Sequence, residues 1–102
     1  MINRFYFDVD DRLALRLTDE NHIHDQHMIW IEELSELQKE ISKQFRNDGM
    51  YPKDGITEEI ADCIIVINQI INAYNLKYSD IQSIINANEV RAHYRLAKEK
   101  EQ

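Results

Sequence analysis

The sequence predicts an all-α domain, a helical bundle of three main helices plus a short N-terminal arm, completed by oligomerisation. Three observations predict it. Residues 23 to 46 run without glycine or proline and carry apolar side chains at positions 30, 34, 37, 41 and 45, the spacing of one helical face. Both glycines and the only proline of the 102 residues fall in one stretch, 47 to 56, so a single strong breaker divides the chain. Two helix-start patterns follow: Thr57 ahead of Glu58 and Glu59, and the capping box Ser79-Asp80-Ile81-Gln82.

The whole chain, 1 to 102, reads as one domain, with an arm over 1 to 22 and a helical core over 23 to 95. In the arm, Phe5, Phe7 and Val9 alternate as a short strand does, whereas Leu13, Leu15 and Leu17 equally fit a short helix capped near Asp10 or Asp11. The first main helix ends at Asn47-Asp48-Gly49. The second opens at Thr57, where the dipole favours the negative charge of Glu58 and Glu59. Its run Ile64-Ile65-Val66-Ile67 leaves apolar residues around nearly the whole girth, which calls for burial on several sides and hence for a homodimer or homotetramer. The third main helix is expected to pack Ile81, Ile84 and Ile85 inward.

Composition narrows the function. A net charge of −7 argues against a nucleic-acid polymer as partner, since phosphate-backbone binding runs on clustered Lys and Arg. A single cysteine, Cys63, excludes an intrachain disulfide and reads as a small core residue. No apolar run reaches the roughly 20 residues of a membrane span. Met1 to Phe7 leads at once into Asp8, Asp10 and Asp11 without a secretory leader pattern, so a cytoplasmic location is expected. His22, His24 and His27 do not share one helical face and have no zinc-type partners.

The chemistry lies in the acids. Glu33 and Glu36 share a helix face, with Glu32 beside them, and Glu59 and Asp62 do the same on the next helix. At about 100° per residue, Glu33 falls at the margin of the Trp30, Leu34, Leu37, Ile41 stripe, and Glu59 lies below Cys63, Val66 and Ile70. Packing the two faces together sets four carboxylates side by side. Two of them about 5.5 Å apart at an effective dielectric of about 20 repel by roughly 3 kcal/mol. A counter-ion is required, and the hard, oxygen-seeking one is Mg²⁺, with Mn²⁺ as a substitute, held by Glu33, Glu36, Glu59 and Asp62. Lys53, in the glycine-containing loop, is a candidate substrate contact, as is Trp30, one turn before Glu33, for stacking on a base.

The pattern Glu32-Glu33-x-x-Glu36, a gap of 22 residues, then Glu59-x-x-Asp62, in the setting Glu-Glu-Leu-Ser-Glu-Leu and Glu-Glu-Ile-Ala-Asp, resembles the signature of the MazG-like all-α nucleoside triphosphate pyrophosphohydrolases. The resemblance spans roughly residues 23 to 95. It implies Mg²⁺-dependent hydrolysis of a nucleoside triphosphate to the monophosphate and pyrophosphate, with Glu32, Glu33 and Glu36 as catalytic carboxylates. It also implies phosphate contacts from Asn88 and Arg91 on the last helix. A di-iron carboxylate bundle would need Glu-x-x-His motifs, and none is present. The alternative is a non-catalytic helical module that binds a nucleotide or a partner protein.

Overall fold

A computed structural model describes residues 4–20 and 22–100, and all regular structure among them is helical. Four helices follow in order: α1 Asp11–Glu20, α2 Ile23–Arg46, α3 Asp54–Ala73 and α4 Tyr78–Lys100.

The arm resolves in favour of helix. Asp10 caps α1 by accepting the Leu13 N–H at 3.0 Å, satisfying one of the donors left open by a helix start. Phe5 to Val9 precede it as irregular chain rather than as a strand. Ala14 is buried where α1 crosses α3, and Asn72 on α3 donates to Asp11 at 3.2 Å. A residue no larger than alanine lets the two backbones approach closely there.

The ends of α2 and α3 follow their breakers. Asp48 and Gly49 take positive φ (52° and 76°), and the Gly49 N–H returns to the Gln44 carbonyl at 2.8 Å, closing the C-terminus of α2. Asn75 does the same after α3, with φ 51° and the Leu76 N–H on the Ile71 carbonyl at 2.9 Å.

Two helix starts differ from the expectation. α3 begins at Asp54, one turn before Thr57, and the Thr57 hydroxyl donates to the Lys53 carbonyl at 2.9 Å from inside the helix. Lys53 is the N-cap residue and contributes no side-chain cap. α4 likewise starts at Tyr78, so Ser79 is already helical.

The larger difference lies in which helices form the bundle. α2 packs along α3, and α1 covers α3 and touches α2; α4 packs against none of them. Among the described residues its one hydrogen bond to the bundle is from the Tyr78 hydroxyl, 3.5 Å from Asn68 Oδ1. Ile84 (61% exposed) and Ile85 (43%) therefore do not pack inward within the chain, contrary to the sequence expectation. The helix that takes the third place is the arm's own α1. The molecule is correspondingly long, 55 × 36 × 23 Å with a radius of gyration of 17.0 Å, against about 13 Å for a compact chain of this length. Among the described residues no helix is long and apolar enough to cross a membrane.

Candidate functional site

The α2–α3 seam is pinned by buried polar contacts. Gln69 on α3 accepts two bonds at Oε1, from Trp30 Nε1 at 2.9 Å and from Gln26 Nε2 at 3.1 Å. Trp30 and Gln26 are both on α2, and all three residues are buried. A turn away, one nitrogen of the His27 ring, Nδ1, lies 2.6 Å from the Ile23 carbonyl, and the other meets the Tyr74 hydroxyl. A carbonyl only accepts, so Nδ1 carries the proton in that contact and, in the neutral ring, Nε2 accepts from Tyr74. Further along, the Cys63 thiol faces the Glu33 carbonyl at 3.7 Å.

These contacts fix the register that brings three acids together. One carboxylate oxygen from each of Glu33, Glu59 and Asp62 lies within 4.8 Å of the other two. The spacing of three residues puts Glu59 and Asp62 on one face of α3, and the antiparallel seam lays Glu33 of α2 against them. All three are half-buried. Burial raises the Glu33 pKa, and the charges of Asp62, Glu32 and Glu36 raise it further. Burial likewise raises that of Glu59, followed by Asp62, Glu33, Glu36 and Glu58. The Cys63 thiol beside them is pushed up by burial and by the same acids, so it stays a thiol and serves as packing.

No base neutralises this group. The ion pairs among the described residues are Arg16–Glu20, Lys39–Glu36 and Lys43–Glu40. Glu59 Oε2 is buried and has no hydrogen-bond partner among the described residues. Nor does the first-turn dipole account for Glu59: with α3 starting at Asp54, Glu59 lies in its second turn, beyond the reach of the free N–H groups. A buried, unpartnered carboxylate oxygen beside two further carboxylates fits a hard divalent cation, whose ligands are oxygens and whose charge offsets the repulsion.

The other expected site residues fall outside this centre. Glu36 is adjacent, close enough to raise Glu33 and Glu59, but is not one of the clustered three; its Oε1 takes the Lys39 ammonium at 3.0 Å. Glu32 is exposed on the same helix. Trp30 is a core residue, 3% exposed, and its ring offers no open face for stacking on a base. The Lys53 ammonium is bound by Gln44 Oε1 at 2.9 Å and by the Gly49 carbonyl, closing the loop between α2 and α3. Asn88 and Arg91 bond each other on α4, and that helix does not bring them to the carboxylates of its own chain.

Sequence reasoning missed two residues that share a cleft with the acids. Gln26 and Gln69 line a cavity of about 260 Å³ together with Glu33 and Asp62. The signal was available: Gln26 precedes Glu33 by seven residues and Gln69 follows Asp62 by seven, two turns on the same face in each case. No family model, curated protein or solved structure matches the chain.

Proposed function

We propose that this chain is a Mg²⁺-dependent nucleoside triphosphate pyrophosphohydrolase that releases a nucleoside monophosphate and pyrophosphate. The observation that carries the reading is the group Glu33, Glu59 and Asp62, drawn from two helices, with a buried oxygen of Glu59 left without a partner. A scaffold has no use for such a group, because the repulsion costs stability and no base among the described residues offsets it.

In this reading Glu33, Glu59 and Asp62 hold the ion, and Glu36 joins them by exchanging its contact with Lys39. When bound, the ion neutralises phosphate charge and polarises the anhydride under attack, which is most of what phosphoryl transfer requires. The residues supply the rest. Glu32, which has no ion pair, takes the proton of the attacking water, with Glu36 as the second candidate base. Asn88 and Arg91 contact phosphate in a homodimer or homotetramer, where α4 of one copy covers a neighbour's bundle. The support for assembly is the unpartnered α4 and the exposed Ile60, Ile65 and Ile67 on α3. Lys53, held in its loop, shapes the α2–α3 turn rather than meeting substrate. The location is cytoplasmic, where nucleoside triphosphates and Mg²⁺ are both plentiful.

A panel of ribo- and deoxynucleoside triphosphates with Mg²⁺, assayed for monophosphate and pyrophosphate, tests the proposal. At least one is turned over by the wild type and not by Glu33→Gln or Asp62→Asn. If none is cleaved, the enzyme reading fails and the non-catalytic module takes its place.

A further inference from the structure

The cleft beside the carboxylates has two chemically distinct ends. Asp62 and Gln69 are seven residues apart on α3, so about 10 Å of helix separates them, and Gln26 and Glu33 have the same spacing on α2. Because the helices run antiparallel, the acids face each other at one end and the amides at the other. Between them the walls are apolar: Ile29 on α2, Val66 on α3 and Leu17 on α1. An acidic end, an apolar slot two turns long and an amide end match a ligand with a metal-binding head, a flat apolar middle and a polar edge.

The orientation of the Gln69 amide follows from its neighbour. The Trp30 indole N–H can only donate, so the Gln69 atom 2.9 Å away is the carbonyl oxygen, and its NH₂ group points elsewhere. That NH₂ has no hydrogen-bond partner among the described residues, although Gln69 is only 7% exposed. The nitrogen is not among the fully buried unpartnered atoms, so this donor reaches solvent through the cleft and is free to bond a ligand in place of water. Gln69 lines the cleft, and a carbonyl brought into the cleft would accept from it.

Resting on the pyrophosphohydrolase reading for the acidic end, we propose that this cleft is the base-binding arm of the site, and that the Gln69 amide selects a pyrimidine by donating to its C4 carbonyl. The cavity is small, below the roughly 300 Å³ at which drug-sized pockets begin, which favours a single ring. A pyrimidine is joined to its sugar at N1, so a ring entering away from the phosphates presents its C4 edge first. Uracil and thymine carry a carbonyl there. Cytosine carries an amino group, which would set donor against donor. The apolar walls take the ring faces, and α1 acquires a role as one side of the slot.

The test titrates uridine, thymidine, cytidine and adenosine into the full chain and follows the emission of Trp30, the only tryptophan, whose N–H is bonded to Gln69. Uridine and thymidine are expected to bind about tenfold more tightly than cytidine or adenosine. Gln69→Glu keeps an acceptor for Trp30 and Gln26 but turns the free donor into an acceptor, so the order should invert in favour of cytidine. Should that variant fail to fold by circular dichroism, Leu17→Phe, which fills the slot from α1, is expected to weaken all four nucleosides together. Absence of any response, equal affinity for the four, or a preference unmoved by the variants overturns the proposal. Nucleosides contain no anhydride, so the two readings fail separately. Base preference without cleavage of any triphosphate removes the hydrolase and keeps the slot; cleavage without base preference removes the slot and keeps the hydrolase.

Discussion

Glu33 on α2 and Glu59 on α3 bring carboxylate oxygens within 4.8 Å of one another, and no Lys, Arg or His is ion-paired with either among the described residues. Burial raises the pKa of both, and neighbouring acids add to it: Asp62, Glu32 and Glu36 for Glu33, and Asp62, Glu33, Glu36 and Glu58 for Glu59. The folded chain therefore holds protons on this pair more tightly than the unfolded chain does.

The sign of the pH dependence follows. For a carboxyl whose folded pKa is raised, the native state binds more protons, so its contribution to stability is full below the unfolded value near 4.5 and is lost as pH rises through the folded value. In EDTA, the wild-type Tm should fall as pH climbs above that value. Glu59→Gln should remove part of the fall and melt a few degrees higher than wild type at neutral pH. A Glu59→Gln variant that melts lower in EDTA at neutral pH would contradict the repulsion described above.

Divalent ions should reverse that ranking. Mg²⁺ or Mn²⁺ bound to the folded chain alone raises Tm by mass action, by an amount that grows with ion concentration. Differential scanning fluorimetry should record a rise for wild type and little or none for Glu33→Gln, Glu59→Gln or Asp62→Asn. The same variants are then the more stable forms without metal and the less stable ones with it. A wild-type Tm indifferent to both ions would leave the three acids without a ligand role.

Much of the fold and of the acidic centre was legible in the sequence, because each depends on local spacing. The periodicity of α2, the breaker at 47–49 and the i, i+3 pair Glu59/Asp62 are properties of single segments, and they survive in the structure. What could not be read depends on which surfaces meet. Phe5 to Leu17 carried both a period-2 and a helical pattern, and the cap supplied by Asp10 together with the close fit of Ala14 decides for helix. Ile84 and Ile85 look like core residues in sequence, yet no helix of the chain covers α4. Gln69 reads as an ordinary polar residue until Trp30 and Gln26 are seen to converge on it. The start of α3 was misplaced because Thr57 has the chemistry of a cap, whereas the turn from Asp54 forms without one.

The two glycines should respond differently to alanine. Gly49 has φ +76° with open space around its Cα, so Gly49→Ala meets no atom but forces an L residue into the left-handed region, at a cost of about 1 kcal/mol. A Cβ on Gly55 would instead meet Glu40 Oε2 at 2.5 Å, the far end of a side chain held by Lys43 that must shift a little to make room. Helix propensity favours alanine there by about 1 kcal/mol and offsets the displacement. Urea denaturation should find Gly49→Ala the less stable of the two, and Gly49→Asn milder than Gly49→Ala.

Beyond Tyr78 at its first residue, the 23-residue α4 packs against no other helix of its chain among the described residues, and helices in water owe most of their stability to such packing. Its exposed Ile84, Ile85, Val90 and Leu96 are the side chains that a second copy would cover. Light scattering on the full chain is expected to report a dimer or tetramer, and Ile84→Asp with Ile85→Asp should shift it toward the monomer. Truncation after Lys77 should give the same shift while keeping the Trp30 emission of the folded bundle, since Trp30 is buried against α3 and bonded to Gln69 rather than to anything on α4. If the truncated chain instead unfolds as a monomer at every concentration, α4 is stabilising its own bundle and the assembly inferred from its bare surface is wrong.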